Sequence, residues 1–207
     1  MFRNTRFAAL AVVAAVSLGG ASVYAQDAFT RAPAEVRSGT YALDPAHSKI
    51  TWSVSHFGFS TYVGQFGKVT GQLRLDARQP EASQLAVTVD ANSVGTLDAA
   101  LDKHLKTADF LDVAKFPTAE FKATRVRRTG ERTAEITGDL TLHGVTRPVT
   151  LTAEFNQAGV NPIDKAYSLG FDAKGKIKRS DFGITTYIPA IGDEVTLQIE
   201  AELKLAS

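Results

Sequence analysis

The 207-residue chain has no cysteine, a single methionine and a single tryptophan. Without cysteine there is no disulfide framework, no thiolate nucleophile or metal ligand and no redox dithiol, so stability must come from packing alone. An excess of charge of one sign is also lacking, because 23 basic residues face 22 acidic ones for a net charge of +1. That balance offers no field for nucleic acid. The one basic cluster, Arg125, Arg127, Arg128 and Arg132, surrounds a turn, as the solvated end of a hairpin does. Long hydrophobic runs are missing too. The apolar stretch "AALAVVAAVSLGG" at residues 8–20 is too short and too rich in Gly and Ala to span a bilayer.

What is present at the N-terminus has the order of an export signal. Arg3 and Arg6 precede the apolar stretch without an acid, and "ASVYAQ" follows it, with Val23 and Ala25 as the small residues a signal peptidase accepts. Residues 1–25 are therefore expected to be a signal peptide, cleaved after Ala25, and the mature chain periplasmic. Removing 25 of 207 residues takes two of the 23 basic and none of the 22 acidic residues, leaving 182 residues with a net charge of −1. That length suits one domain with a sizeable core. Residues 26–39, "QDAFTRAPAEVRSG", show no periodicity and read as a flexible lead-in, with the domain proper at 40–207.

From Tyr41 onward the dominant signal is an alternation of apolar and polar residues. Ile50, Trp52 and Val54 alternate with Lys49, Thr51, Ser53 and Ser55, and Val69, Leu73 and Leu75 with Lys68, Thr70 and Arg74. The same period places Leu85, Val87 and Val89 on one face, then Phe121 with Ala119 and Ala123, then Ile136 and Leu140. It continues through Leu151 and Phe155, Leu169 and Phe171, and Leu197 and Ile199. Eight strands with one dry and one wet face are what an antiparallel sheet needs when a single side is covered. One segment breaks the rule. "TLDAALDKHLKTADFLD" spaces Leu97, Leu101, Leu105 and Ala108 at helical intervals, with Thr96 as a cap, Asp98 in the first turn and about three turns in all. Pro117 ends any continuation into the next strand.

One short helix cannot hide eight apolar faces, so the sheet must curl. Closure into an eight-stranded barrel points every dry face at the axis and removes the edges; a two-sheet sandwich reads much the same. The two differ in their interiors, since a sandwich fills its own and a barrel of this size leaves room for one ligand. Gly71, Gly138, Ala119, Ala123, Ala134, Ala153 and Ala201 fall at inward positions. They either make room for Trp52 and the phenylalanines or leave a lumen. Strand edges at an imperfect closure would be able to pair into a homodimer.

Four blocks carry a family resemblance: "DPAHSKITWSVSHFGFSTYVGQF", "LDKHLKTADFLDVAKFPTAEF", "GDLTLHGVTRPVTL" and "GKIKRSDFGI". In this order they resemble the YceI-like family of exported, lipocalin-like, polyisoprenoid-binding proteins, from about Tyr41 to Leu205. The resemblance implies an all-β fold with one short helix, an eight-stranded antiparallel barrel around an apolar tunnel, and a polyprenyl chain or quinone tail inside it. It implies no reaction and no cofactor. At the position before "DKHL", where family members often carry an arginine, this chain has Leu101, which removes a fork of donors near the helix.

The histidines are His47, His56, His104 and His143. None are spaced as a zincin pair, so no metal site is expected, although His56, His143 and a carboxylate could converge across strands. His143, before Gly144, reads as shaping a turn; His104 either leans toward the barrel or faces water. No Gly-x-Ser-x-Gly elbow occurs, and Ser180 and Asp181 in "RSDFGI" read as a turn bonding its own backbone. No catalytic residue is assigned. The rival reading is an enzyme using His56 or His143 with Asp109 or Asp181, and a third is a packed-core protein without ligand.

His56 shares the face of Ile50, Trp52 and Val54, at the end of its strand. There it would either donate to a lipid head group or bond a neighbouring carbonyl. The expected tail contacts are Ile50, Trp52, Val54, Val87, Phe121, Ile136, Leu140, Leu151, Phe155, Leu169, Phe171, Leu197 and Ile199, with His56 at the head. Partners are then a long-chain isoprenoid lipid and, transiently, a membrane.

Overall fold

A computed structural model describes residues 29–206. The expected signal peptide, its cleavage after Ala25 and the first residues of the lead-in lie outside the described residues. Twelve strands and one α-helix follow in the order β1 (Phe29–Thr30), β2 (Gly39–Leu43), β3 (Lys49–His56), β4 (Ser60–Phe66), β5 (Val69–Leu75), β6 (Gln84–Asp90) and β7 (Val94–Gly95). Then come α1 (Ala99–Leu105), β8 (Thr118–Arg128), β9 (Thr133–Leu142), β10 (Val145–Val160), β11 (Tyr167–Lys178) and β12 (Ile191–Leu205).

Twelve segments make eight long strands. β2 and β3 lie end to end on one edge of β12, residues 41–43 against 203–205 and residues 49–54 against 195–200. β5 and β4 lie end to end on the far side of that pair, and β6 and β7 on the far side of those. The ring continues through β8, β9, β10 and β11 back to β12, every pairing antiparallel. This is an eight-stranded up-and-down barrel, and it is closed. Among the described residues β7 ends the strand path and meets β4 only at Gln65 and Phe66, so residues 60–64 of β4 are paired on one side alone.

The three broken strands are neighbours, and their breaks at residues 44–48, 67–68 and 91–93 lie side by side. Extra residues in a strand bend it and steepen its twist. Each break is stitched by short polar side chains. The Ser48 hydroxyl accepts from Glu202 N–H at 3.0 Å. Ser93 accepts from Lys68 N–H at 3.1 Å and donates to the Asp90 carbonyl at 2.6 Å.

The lead-in departs from expectation from Phe29 onward. β1 adds to the far end of β10, and Val36 is buried. Val36 joins Tyr41, Phe155, Ala158, Leu169 and Leu203 in a packed floor. Tyr41 is completely buried and donates to the Arg37 carbonyl at 2.5 Å; burial pushes its hydroxyl up to about 12. At the opposite end, α1 is shorter than expected. Leu97 adopts a left-handed backbone and is fully exposed, so the helix starts two residues later than Thr96 would place it. Asp98 is the cap, accepting from the N–H groups of Ala100 and Leu101 at 2.9 and 3.2 Å, while Thr96 bonds Asp102. The arginine cluster is a hairpin end, with Arg127 paired to Glu135 and Arg132 to Glu154 on the outer surface.

Candidate functional site: an apolar interior in two chambers

Above the floor the barrel is hollow. An upper chamber of about 390 Å³ opens beneath α1, and a lower one of about 240 Å³ reaches the floor. Ile50, Val89, Ala119, Leu140 and Leu197 line both, so the chambers adjoin at a waist formed by these five residues. The walls follow from strand alternation, because cross-strand neighbours such as Val87 and Phe121, Phe121 and Leu140, or Leu197 and Trp52 share the inward face.

Small residues serve both of the roles open to them. The space a side chain at Gly138 would fill is taken by the Phe121 ring, 2.5 Å from where a Cβ would lie. Gly64 likewise lies under the Trp52 indole. Ala119, Ala134, Ala153 and Ala201, in contrast, line the void.

Of the expected contacts, Trp52, Val54 and His56 line the upper chamber and Val87, Phe121, Ile136, Leu151, Phe155, Phe171 and Ile199 the lower one. Ile50, Leu140 and Leu197 form part of the waist. Leu169 does not line either chamber. It shares the inward face but sits below the cavity, 1% exposed in the packed floor beside Leu203, and the lipid-contact role expected for it is withdrawn. Alternation assigns a face and says nothing about depth along the axis.

Residues from loops and the helix complete the upper chamber and have no counterpart among the expected contacts. Leu101 and Leu105 project from α1, Phe110 and Leu111 from the following turn, and Ile184 and Tyr187 from the β11–β12 connection. Leu101 thus adds apolar wall at the position where the family resemblance led one to expect an arginine.

Two histidines stand at the mouth. His56 packs edge-on against Phe57, with ring centroids 4.7 Å apart, and finds no hydrogen-bond partner among the described residues. His104 leans toward the barrel, its Nε2 3.0 Å from Asp109 Oδ2 and its ring edge-on to Phe110. The pairings of His56 or His143 with Asp109 or Asp181 do not form: Asp109 holds His104, and His143 Nδ1 meets the Phe182 carbonyl at 3.1 Å. His143 and Gly144 both have positive φ, 52° and 74°, and close the β9–β10 hairpin as a two-residue turn.

Arg179 is the charged residue the periodicity could not reveal. It is 6% exposed at the chamber wall. Its guanidinium donates to four carbonyls, those of Gly192, Ile184, Thr186 and Ile191, at 2.9 to 3.2 Å. Burial pulls its pKa down and Asp193 opposes that. Burial alone would raise Asp193, yet the N–H and hydroxyl of Ser180 and the charges of Arg179 and Lys178 hold its carboxyl below the usual range. The Ser180 N–H and hydroxyl thus bond Asp193, while its carbonyl accepts from the Gly183 N–H at 3.0 Å and closes its own turn as expected.

At the floor end, Asp44, His47 and Glu202 place ligand atoms within 4.8 Å of one another, a set with the chemistry to hold a cation. Lys204 already occupies it, with Nζ 2.7 Å from Asp44 and 2.6 Å from Asp164. The donors fit an internal ion-pair network, not a resident metal.

The YceI-like domain profile matches residues 41–203. The chain belongs to the YceI-like family. Relatives within it include a UPF0312 protein of Ectopseudomonas mendocina, 41% identical over 170 residues, covering 81% of this chain and 88% of the relative. Protein YceI of Salmonella arizonae is 43% identical over 156 residues, covering 75% and 81%. Among solved structures, the Campylobacter jejuni YCEI protein has a TM-score of 0.65 at 29% identity over 74% of this chain and 90% of its own. The YceI-like barrel also matches a polyisoprenoid binding domain from Saccharophagus degradans, with a TM-score of 0.60 at 15% identity over 82% of this chain and 100% of that one, a likeness of fold.

Proposed function

We propose that the protein is an exported, periplasmic binder or carrier of one long-chain isoprenoid lipid, a polyprenyl chain or isoprenoid quinone. The tail lies through the waist into the lower chamber and the head group rests at the mouth near His56. The observation that carries this reading is the pair of joined chambers, walled almost wholly by hydrocarbon and ending on a solid floor. Two apolar chambers stacked along the barrel axis suit a chain better than a compact ligand.

Burying hydrocarbon is favourable by about 0.8 kcal/mol per methylene-sized group, so a tail of many isoprene units would nominally exceed the practical ceiling on affinity. The relevant exchange is with a membrane, one apolar medium for another, and the protein must meet that membrane transiently. Selectivity then rests on the shape of the waist and the polar groups at the mouth.

The test is uptake of polyprenyl phosphate, isoprenoid quinone and fatty acid by delipidated protein, read through Trp52, the sole tryptophan and part of the upper wall. A saturable change in its emission with the two isoprenoids at one lipid per barrel is expected, with His56→Gln altering affinity by a few-fold. Absence of uptake, or equal uptake of every apolar compound, would overturn the reading.

A further inference from the structure

The mouth of the upper chamber carries an apolar rim made from three separate loops. Phe57 and Phe59 lie in the β3–β4 turn, Leu97 precedes α1, and Tyr187 lies in the β11–β12 connection. Phe57 is 54% exposed, Tyr187 57%, Phe59 90%, and Leu97 is wholly in solvent. Phe57 and Tyr187 also line the chamber, so the apolar surface runs unbroken from the interior onto the outside.

The backbone at this rim is unusual in a consistent way. Among the described residues six that are not glycine have positive φ, and three of them are Phe57 at 52°, Leu97 at 68° and Tyr187 at 62°. The others, Asp112, His143 and Lys165, are polar turn residues. Asp and His visit this region more readily than bulky apolar residues, for which it is strained. Phe57, Leu97 and Tyr187 are thus held half or wholly exposed, at a conformational cost, around one opening.

We propose that this rim docks on a lipid bilayer, mouth toward the acyl region, so that cargo passes between chamber and membrane without crossing water; the inference rests on the lipid-binding reading above. A bilayer is the occupant the geometry favours, because the four tips present neither a groove nor a flat face for a folded partner and surround an open hole. A deformable apolar phase can accept the tips and remain continuous with the cavity between them. Charge does not select anionic lipid. Around the mouth Lys103, Lys106 and Lys115 stand among Asp98, Asp102, Asp109 and Asp112, so insertion of apolar tips, and not a basic patch, drives the contact.

The test is co-flotation of the purified protein with vesicles of zwitterionic phosphatidylcholine, and in parallel with vesicles containing anionic phosphatidylglycerol, at low and high salt. Binding that persists at high salt is expected. The double variant Phe59→Ser with Leu97→Asp should weaken it by about tenfold or more, the scale set by keeping large apolar side chains in water. Both residues are exposed and neither lines a chamber, so uptake of detergent-delivered polyprenyl lipid should be unchanged. Ile163→Ser, at an exposed tip of the floor end, should float like the parent.

Equal flotation of the double variant and the parent overturns the proposal, as does binding confined to anionic vesicles at low salt. A rim that pairs two copies in solution, with no flotation, overturns it in favour of self-association. Protein that takes up lipid yet ignores vesicles refutes the docking alone; protein that takes up no lipid refutes the underlying reading.

Discussion

The Ser48 hydroxyl takes the place of a backbone partner for Glu202: it accepts from the Glu202 N–H at 3.0 Å and lies 3.2 Å from the Glu202 carbonyl, to which it donates. Two residues 154 positions apart thereby keep the β12 ladder bonded across the break between β2 and β3. Ser48→Ala should lower stability by about 1–2 kcal/mol, because the Glu202 N–H is left without a partner. Ser48→Thr, which keeps the hydroxyl, should cost less. Urea denaturation followed by circular dichroism measures both.

The same corner gives a pH dependence. Hydrogen bonding and attraction to Asp44 raise the His47 pKa above 6.5, and Glu202 adds to this. Its contribution is therefore complete below about pH 6.5 and is lost as pH rises through the raised value. Asp44 behaves oppositely. Its bonds to Lys204 and His47 hold it below the ordinary 3.8, so its contribution is present above that value and is lost as pH falls through the depressed one. The wild-type urea midpoint should fall as pH rises above about 6.5, and His47→Asn should flatten that fall. An unchanged slope in the variant would remove His47 from the account of this corner.

Arg179 clamps the β11–β12 connection through its four carbonyl contacts. Arg179→Met leaves buried acceptors unpaired and should cost about 3 kcal/mol or more. Hydrogen exchange should accelerate at Ile184, Ile188 and Ile191, whose amides bond within that connection. Arg179→Lys should recover only part of the loss, because an ammonium lacks the planar fork.

The waist offers a test of tail length. Ala119 lines both chambers, and Ala119→Phe would fill the passage between them. Binding of short prenyl chains, which fit the upper chamber, should survive, while chains that need the lower chamber should bind about tenfold more weakly or worse. A calorimetric titration across chain lengths gives the answer.

The barrel was legible because alternation and strand pairing obey the same period: Val87, Phe121 and Leu140 fall on one face in sequence and side by side in the wall. The breaks at residues 44–48, 67–68 and 91–93 were not, since each is held by partners distant in sequence. Leu97 has helical spacing but a left-handed backbone, and spacing does not report φ. Ile184 and Tyr187 come from a connection without periodicity and Phe110 lies beyond the helical spacing, so this part of the upper chamber carried no local signal. Leu169 shows the converse limit, as an inward residue in the floor. The family resemblance, in contrast, pointed to the closed barrel through four ordered blocks.

The most direct measurement is native mass spectrometry of the protein purified without detergent, followed by organic extraction and identification of what is released. One isoprenoid lipid per barrel is expected, with its mass lost on extraction and regained when a polyprenyl lipid is returned. Protein that carries no lipid from the cell and takes up none when offered it would contradict a hollow, chain-binding barrel.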